Sequence, residues 1–118
     1  MPRELTDHVL DRLTDVHVTV MDDPGAGGAH HDYKVSYGSN ELGRIVFQNG
    51  PIKEAGINGL THEALLAIIA DRLKSFQAGP YACKANACAL THIEEAMHWL
   101  QSRTLERMRR GVEGTHSL

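Results

Sequence analysis

The chain has 118 residues, with 12 Lys and Arg against 15 Asp and Glu, for a formal net charge of −3. That balance excludes a general polyanion binder. A hydrophobic content of 42% excludes a disordered chain, and no run nears the roughly 18 apolar residues that a membrane-spanning helix needs.

This length suits one small domain, or one domain with an appended strand unit. Its core is modest and gains from burial against further copies of the chain. Met1-Pro2-Arg3-Glu4 has none of the apolar character of a secretory leader, so a cytoplasmic location is expected. Cys83 and Cys88, five apart, read as free thiols in a reducing compartment. Charge is uneven: residues 1–50 carry eight acidic and four basic side chains, whereas Arg103, Arg107, Arg109 and Arg110 crowd one short stretch with only Glu106 against them.

In chain order, Leu5–Leu13 reads as a short helical or irregular lead-in. His17–Met21 is rich in β-branched residues and predicts a strand. Asp22–Gly28 is a loop by its Pro and Gly content. Tyr33–Tyr37 alternates as a half-buried strand does, Gly38-Ser39-Asn40 supplies a turn, and Arg44–Gln48 predicts a third strand. Three consecutive strands predict an antiparallel meander. Asn49-Gly50-Pro51 ends that unit, and Gly56–Gly59 reads as a flexible boundary.

The remainder predicts two helices. Thr61 is the expected N-cap of the first, with Glu63 in its first turn and Leu60 and Leu65 at hydrophobic-staple spacing. Leu65, Ile69, Leu73 and Phe76 form its apolar stripe. Gly79-Pro80 is expected to stop it, Gly79 as a left-handed cap. The second helix runs from about Cys83 to Arg110, with a seam of Leu90, Ile93, Met97 and Leu100 beside Ala82, Ala89 and Ala96. The chain is expected to leave this helix at Gly111. The fold class is therefore α+β: an N-terminal antiparallel β meander over residues 1–55, then an antiparallel αα-hairpin over 56–118, assembled as a homo-oligomer.

Catalytic motifs are sparse. Cys88 and His92 have a chelating spacing, but no second ligand pair accompanies them, so no metal and no cofactor is expected. His30-His31 lie in a Gly-rich loop, where solvation explains them. The sequence has no nucleophile elbow, and Pro24–Gly28 lacks the Lys-Ser/Thr of a P-loop. Arg103, Arg107 and Arg110 share a helical stripe. Favourable dipole interactions at a solvated helix end account for cations there, and so does bidentate phosphate capture. Phe76 and Tyr81 flank the hairpin turn, where an aromatic ring either packs or stacks on a base. Asn86 either caps the second helix or reads a base edge.

Taken in order, Asn58–Leu66, Arg72–Pro80, Trp99–Thr104 and Arg110–His116 resemble the hairpin domain of phage sponge proteins that block the bacterial Thoeris and CBASS defences. The resemblance covers about residues 56–116, and Asp23–Tyr33 resembles the β extension of the anti-Thoeris branch. It implies a protein that binds a cyclic signal tightly and leaves it intact, in the cytoplasm of the infected host. In that branch the ligand is a glyco-cyclic ADP-ribose isomer held between protomers. Some members also hold cyclic di- or trinucleotides, the latter at separate sites made by a trimer of dimers. By motif position, the resemblance assigns base stacking to Phe76, a hydrogen bond to base or ribose to Asn86, and phosphate contacts to Arg103 and Arg109. Arg107 and Arg110 compete for the last role. An enzyme degrading such a messenger and a helical protein–protein adaptor are the rival readings.

Overall fold

The computed structural model describes residues 2–10 and 15–118. They form four strands, β1 (Arg3–Leu5), β2 (Val16–Val20), β3 (Asp32–Tyr37) and β4 (Asn40–Val46). Three helices follow: α1 (Ile52–Ala55), α2 (His62–Gln77) and α3 (Lys84–Arg110). The fold class is α+β, as the residue pattern predicts. The chain divides into two compact units, Met1–Leu60 and Thr61–Leu118.

In the first unit the strands form an antiparallel meander in the order β1-β2-β3-β4. Its register opposes Val16 to Tyr37, Val18 to Val35 and Val20 to Tyr33, so one face of the sheet is apolar. Val20 is fully buried there. The other face carries Glu4, His17, Lys34 and Arg44. Gly38, at φ 56°, takes the first of the two turn positions between Tyr37 and Asn40, as a tight hairpin needs.

Three expectations change here. Leu5, the expected start of the helical or irregular lead-in, instead ends a strand that starts at Arg3; residues 11–13 of that lead-in lie outside the described residues. β4 starts at Asn40, four residues before the expected strand, because Val35 opposes Gly43 while Ser36 opposes Glu41. The extra residue, Leu42, makes a bulge that breaks the alternation. Gly56–Gly59 is pinned, not flexible. Gln48 Nε2 donates to the Gly50 and Gly56 carbonyls, at 3.0 and 2.7 Å. Asn58 Nδ2 donates to the Asn49 carbonyl at 2.7 Å, and the Asn49 N–H donates to Asn58 Oδ1 at 2.8 Å. Leu60 pairs in parallel with Phe47.

Side-chain charges tie the sheet together. Arg44 grips Asp32 with Nε to Oδ1 at 2.5 Å and Nη2 to Oδ2 at 2.9 Å. The Arg44 bond holds the Asp32 carboxyl below its usual range. The Asp22 carboxylate accepts from the N–H groups of His31 and Asp32, closing the Gly-rich loop. Within it, His30 donates to the Asp22 carbonyl, and His31, 8% exposed, lies near Ala26 O. Neither imidazole is simply solvated. His17 sits between the Glu4 and Asp15 carboxylates. The bond to Glu4, then that to Asp15, raises its pKa above the usual imidazole value, since only the imidazolium donates from both nitrogens.

In the second unit the Thr61 side chain accepts from the Ala64 N–H at 3.1 Å and caps α2 as expected. Of the predicted α2 stripe, Leu65, Leu73 and Phe76 are half-buried, and only Ile69 departs from it. Ala70 is 2% exposed while Ile69 is 39% exposed, so Leu66, Ala70 and Leu73 seat the helix and Ile69 lies at its margin. Gly79 is not left-handed; α2 ends at Ala78 in a right-handed conformation, with its N–H on the Lys74 carbonyl. Leu90, Ile93, Met97 and Leu100 are half-buried along α3, the seam that their spacing predicts. Gly111, at φ 75°, ends α3, its N–H on Met108 O and that of Val112 on Arg107 O.

Two tests follow. A methyl group on Gly59 would lie 2.4 Å from the Phe47 carbonyl carbon, so Gly59→Ala is expected to destabilise the protein by about 1–3 kcal/mol in urea melts. A raised His17 pKa means that the ion-pair contribution is fully present below the unfolded value of 6.5 and disappears as pH rises through the folded value. Stability differences between wild type and His17→Gln should thus be present at pH 5.5 and absent at about pH 9, measured by denaturant unfolding.

Candidate functional site

The charged end of α3 is organised around Arg107, which is 4% exposed. Seam positions alternate by four and three from Asn86 through Leu90, Ile93, Met97, Leu100 and Thr104 to Arg107, so this guanidinium takes the place of a core residue. A guanidinium there requires an acceptor for each of its N–H groups. The C-terminal tail supplies them. Nε donates to Glu113 Oε1 at 3.1 Å. Nη1 reaches the carbonyls of Ser117 and Leu118. Nη2 donates to the carbonyls of Val112 and Thr115, at 2.9 and 3.0 Å. Burial pushes the Glu113 carboxyl up, but the bonds from Arg107, the Gly114 N–H and Thr104 outweigh it and leave its pKa lowered.

Arg110 is also engaged, with Nε 2.7 Å from Glu106 Oε1 and Nη2 on Leu118 O. Arg103 and Arg109 are exposed and have no hydrogen bond or ion pair among the described residues. The four arginines, alike in sequence, thus divide into two that hold the tail and two that present free guanidinium groups. The expected competition of Arg107 and Arg110 for a phosphate is weakened because both are already committed.

At the other end of the hairpin, Phe76 is half-buried in the last turn of α2. Its ring meets Tyr81 edge to face at 6.4 Å between centroids, and the Arg72 guanidinium lies 5.0 Å from its centroid. Asn86 is half-buried in the first turn of α3. Its N–H donates to Cys83 Sγ at 3.4 Å, and the Cys83 N–H donates to Gln77 Oε1 at 3.0 Å. The end of α2 and the start of α3 are therefore stitched together around the turn. Lys74 Nζ and Glu94 Oε2, 3.9 Å apart, add a pair across the two helices.

The hairpin carries Phe76 and Asn86 at one end and Arg103 and Arg109 at the other. At 1.5 Å per residue, Asn86 is about 25 Å from Arg103 and about 35 Å from Arg109 along α3. The four do not converge within a single chain. α2, at 16 residues, spans about 24 Å, and α3, at 27, about 40 Å, so the arginine end outruns its partner helix.

No group of three or more His, Cys, Asp and Glu side chains among the described residues is placed to hold a metal. His92 faces Glu95 at 3.5 Å on the exposed surface of α3. No helix of the described residues is long and apolar enough to cross a membrane.

The helical hairpin of the second unit is the feature that the family comparison names. The family model described as the Acb2/Tad1 hairpin domain matches residues 39–105, more than half of the chain, and the chain belongs to that family. A relative named Thoeris anti-defense 1, from Bacillus phage SBSphiJ7, is 45% identical over 92 residues. The alignment covers 78% of this chain and 65% of that protein, so the chain spans just under two thirds of its relative's length. The family match includes Phe76, Asn86 and Arg103 and stops short of Arg109.

The division among the arginines is testable. Arg107→Ala should destabilise the protein by about 2–4 kcal/mol and expose residues 112–118 to hydrogen exchange. Arg109→Ala should leave both the melting temperature and that protection unchanged.

Proposed function

We propose that this chain is a phage anti-defence protein that sequesters a cyclic nucleotide messenger, of glyco-cyclic ADP-ribose type, without cleaving it. Membership of the Acb2/Tad1 family and the anti-Thoeris name of its relative support the biological role. The observation that carries the binding mode is the separation of the two half-sites along α3. An aromatic ring and an amide stand at the turn, and two uncommitted guanidinium groups stand about 25–35 Å away. Two hairpins lying antiparallel would set the turn of one against the arginines of the other. The pocket then belongs to a homo-oligomer: Phe76 stacks on the base, Asn86 bonds base or ribose, and Arg103 and Arg109 of a second copy hold phosphate.

Exposed apolar side chains support association. Ile68, Trp99, Leu105 and Met108 are each at least 60% exposed in the lone hairpin, and burying such surface is worth ~25 cal/mol per Å². In this reading the β unit is an extension of the 56–118 hairpin domain, which carries the pocket, and the protein acts in the host cytoplasm. Mass action suffices: tight capture of the signal starves its effector, with no bond broken.

The decisive experiment loads the protein with glyco-cyclic ADP-ribose, denatures it and analyses the released ligand. Intact ligand at full yield is expected. A cleaved product would establish an enzyme, and failure to load would leave an adaptor as the better reading. Sedimentation should show a dimer or larger species at micromolar concentration; a lone 13.0 kDa monomer would overturn the shared pocket. Phe76→Ala should cost ~1–3 kcal/mol of affinity, and Arg109→Ala about ten- to a hundredfold. In calorimetric titrations, Arg109→Lys should recover only part of that loss.

A further inference from the structure

We infer that Arg72 is a positioning residue of the ligand site, holding the Phe76 ring in the orientation in which it receives a base. The inference rests on the sequestration reading above. Arg72 and Phe76 stand four apart on α2, so their side chains share a face of the helix. The Arg72 guanidinium lies 5.0 Å from the centre of the Phe76 ring. Arg72 is exposed and has no hydrogen bond or ion pair among the described residues. By contrast, Lys74 on the same helix approaches Glu94, and Arg44 grips Asp32. Arg72 therefore has the ring as its neighbour and keeps its N–H groups in solvent.

Tyr81 meets the same ring at 80°. A flat cation over the ring and a second ring perpendicular to it restrict the torsion that would otherwise let Phe76 swing. That restriction lowers the ordering cost when a base stacks on the part of the ring still open. A planar guanidinium is suited to this role, because it stacks while its edges remain hydrated.

The same pair in a purely structural role would stabilise α2 and do nothing for the ligand, so the test separates affinity from stability. Calorimetric affinity for glyco-cyclic ADP-ribose and melting temperature are measured for wild type, Arg72→Met, Arg72→Lys, Phe76→Ala and the Arg72→Met/Phe76→Ala double variant. Met keeps the apolar stem and removes the cation. Arg72→Met is expected to weaken binding about five- to thirtyfold with little change in melting temperature, and Arg72→Lys to recover part of the loss. In the Phe76→Ala background, Arg72→Met should cost nothing further, because its effect passes through the ring. Binding of Arg72→Met within twofold of wild type, with Phe76→Ala impaired, overturns the role of Arg72 and leaves the sequestration reading standing. Equal losses in both backgrounds also overturn it, since Arg72 then acts independently of the ring. Failure of wild type to bind the probe removes the reading beneath it.

Discussion

Placing a guanidinium where a core residue belongs obliges the chain to surround it with oxygen. The helical seam of α3 reaches Arg107 after six steps of about one turn each, and the backbone after Gly111 meets the demand. The left-handed glycine turns the chain back, and Glu113 with four carbonyls completes the shell. Removing this one cation would leave those acceptors without a common donor. The same requirement sorts the neighbouring arginines, since the tail engages Arg107 and Arg110 and leaves Arg103 and Arg109 to solvent. A packing constraint in the hairpin thereby fixes which of these charges stay exposed.

The two ends of the hairpin are built on different principles. At the turn, short polar links run from Gln77 to Cys83 to Asn86 and tie the last turn of α2 to the first turn of α3. At the far end, the helix projects beyond its partner and offers charge. The sheet unit stands on its own set of interactions: a fully buried Val20, the Arg44–Asp32 fork and the Gln48–Asn58 knot. Gly59 there presses against the Phe47 backbone so closely that no side chain fits.

Much of this was legible in the residues. Alternation in Tyr33–Tyr37, the Thr61 cap, the three-four seam of α3 and the Gly111 stop each report local physics, and each appears in the structure. What escaped depends on partners distant in sequence. Arg3–Leu5 has no β-branched residue and becomes a strand because β2 offers it an edge. Leu42 hides the start of β4 by bulging out of the alternation. Ala70 is too small to register in a hydrophobic stripe, yet it is the most buried residue of α2. Gly79 suggested a left-handed cap, but α2 ends one residue earlier with ordinary geometry. The expected site residues Phe76 and Asn86 lie together, while Arg103 and Arg109 lie far off. Only the length of an unbroken helix reveals that separation. Arg107 could have been found by continuing the seam two steps past Leu100, where charge interrupted the apolar pattern.

Because Asn86 and Arg103 ride on one continuous helix, α3 acts as a ruler. Inserting or deleting a single residue between them would turn one half-site by about 100° relative to the other and shift it by about 1.5 Å. Seven added residues would nearly restore the facing but lengthen the span by about 10 Å. For the proposed shared pocket, any change in the length of that stretch should therefore be severe, more so than substitutions at its exposed polar positions. Selection on the number of residues there should be stricter than selection on their identity.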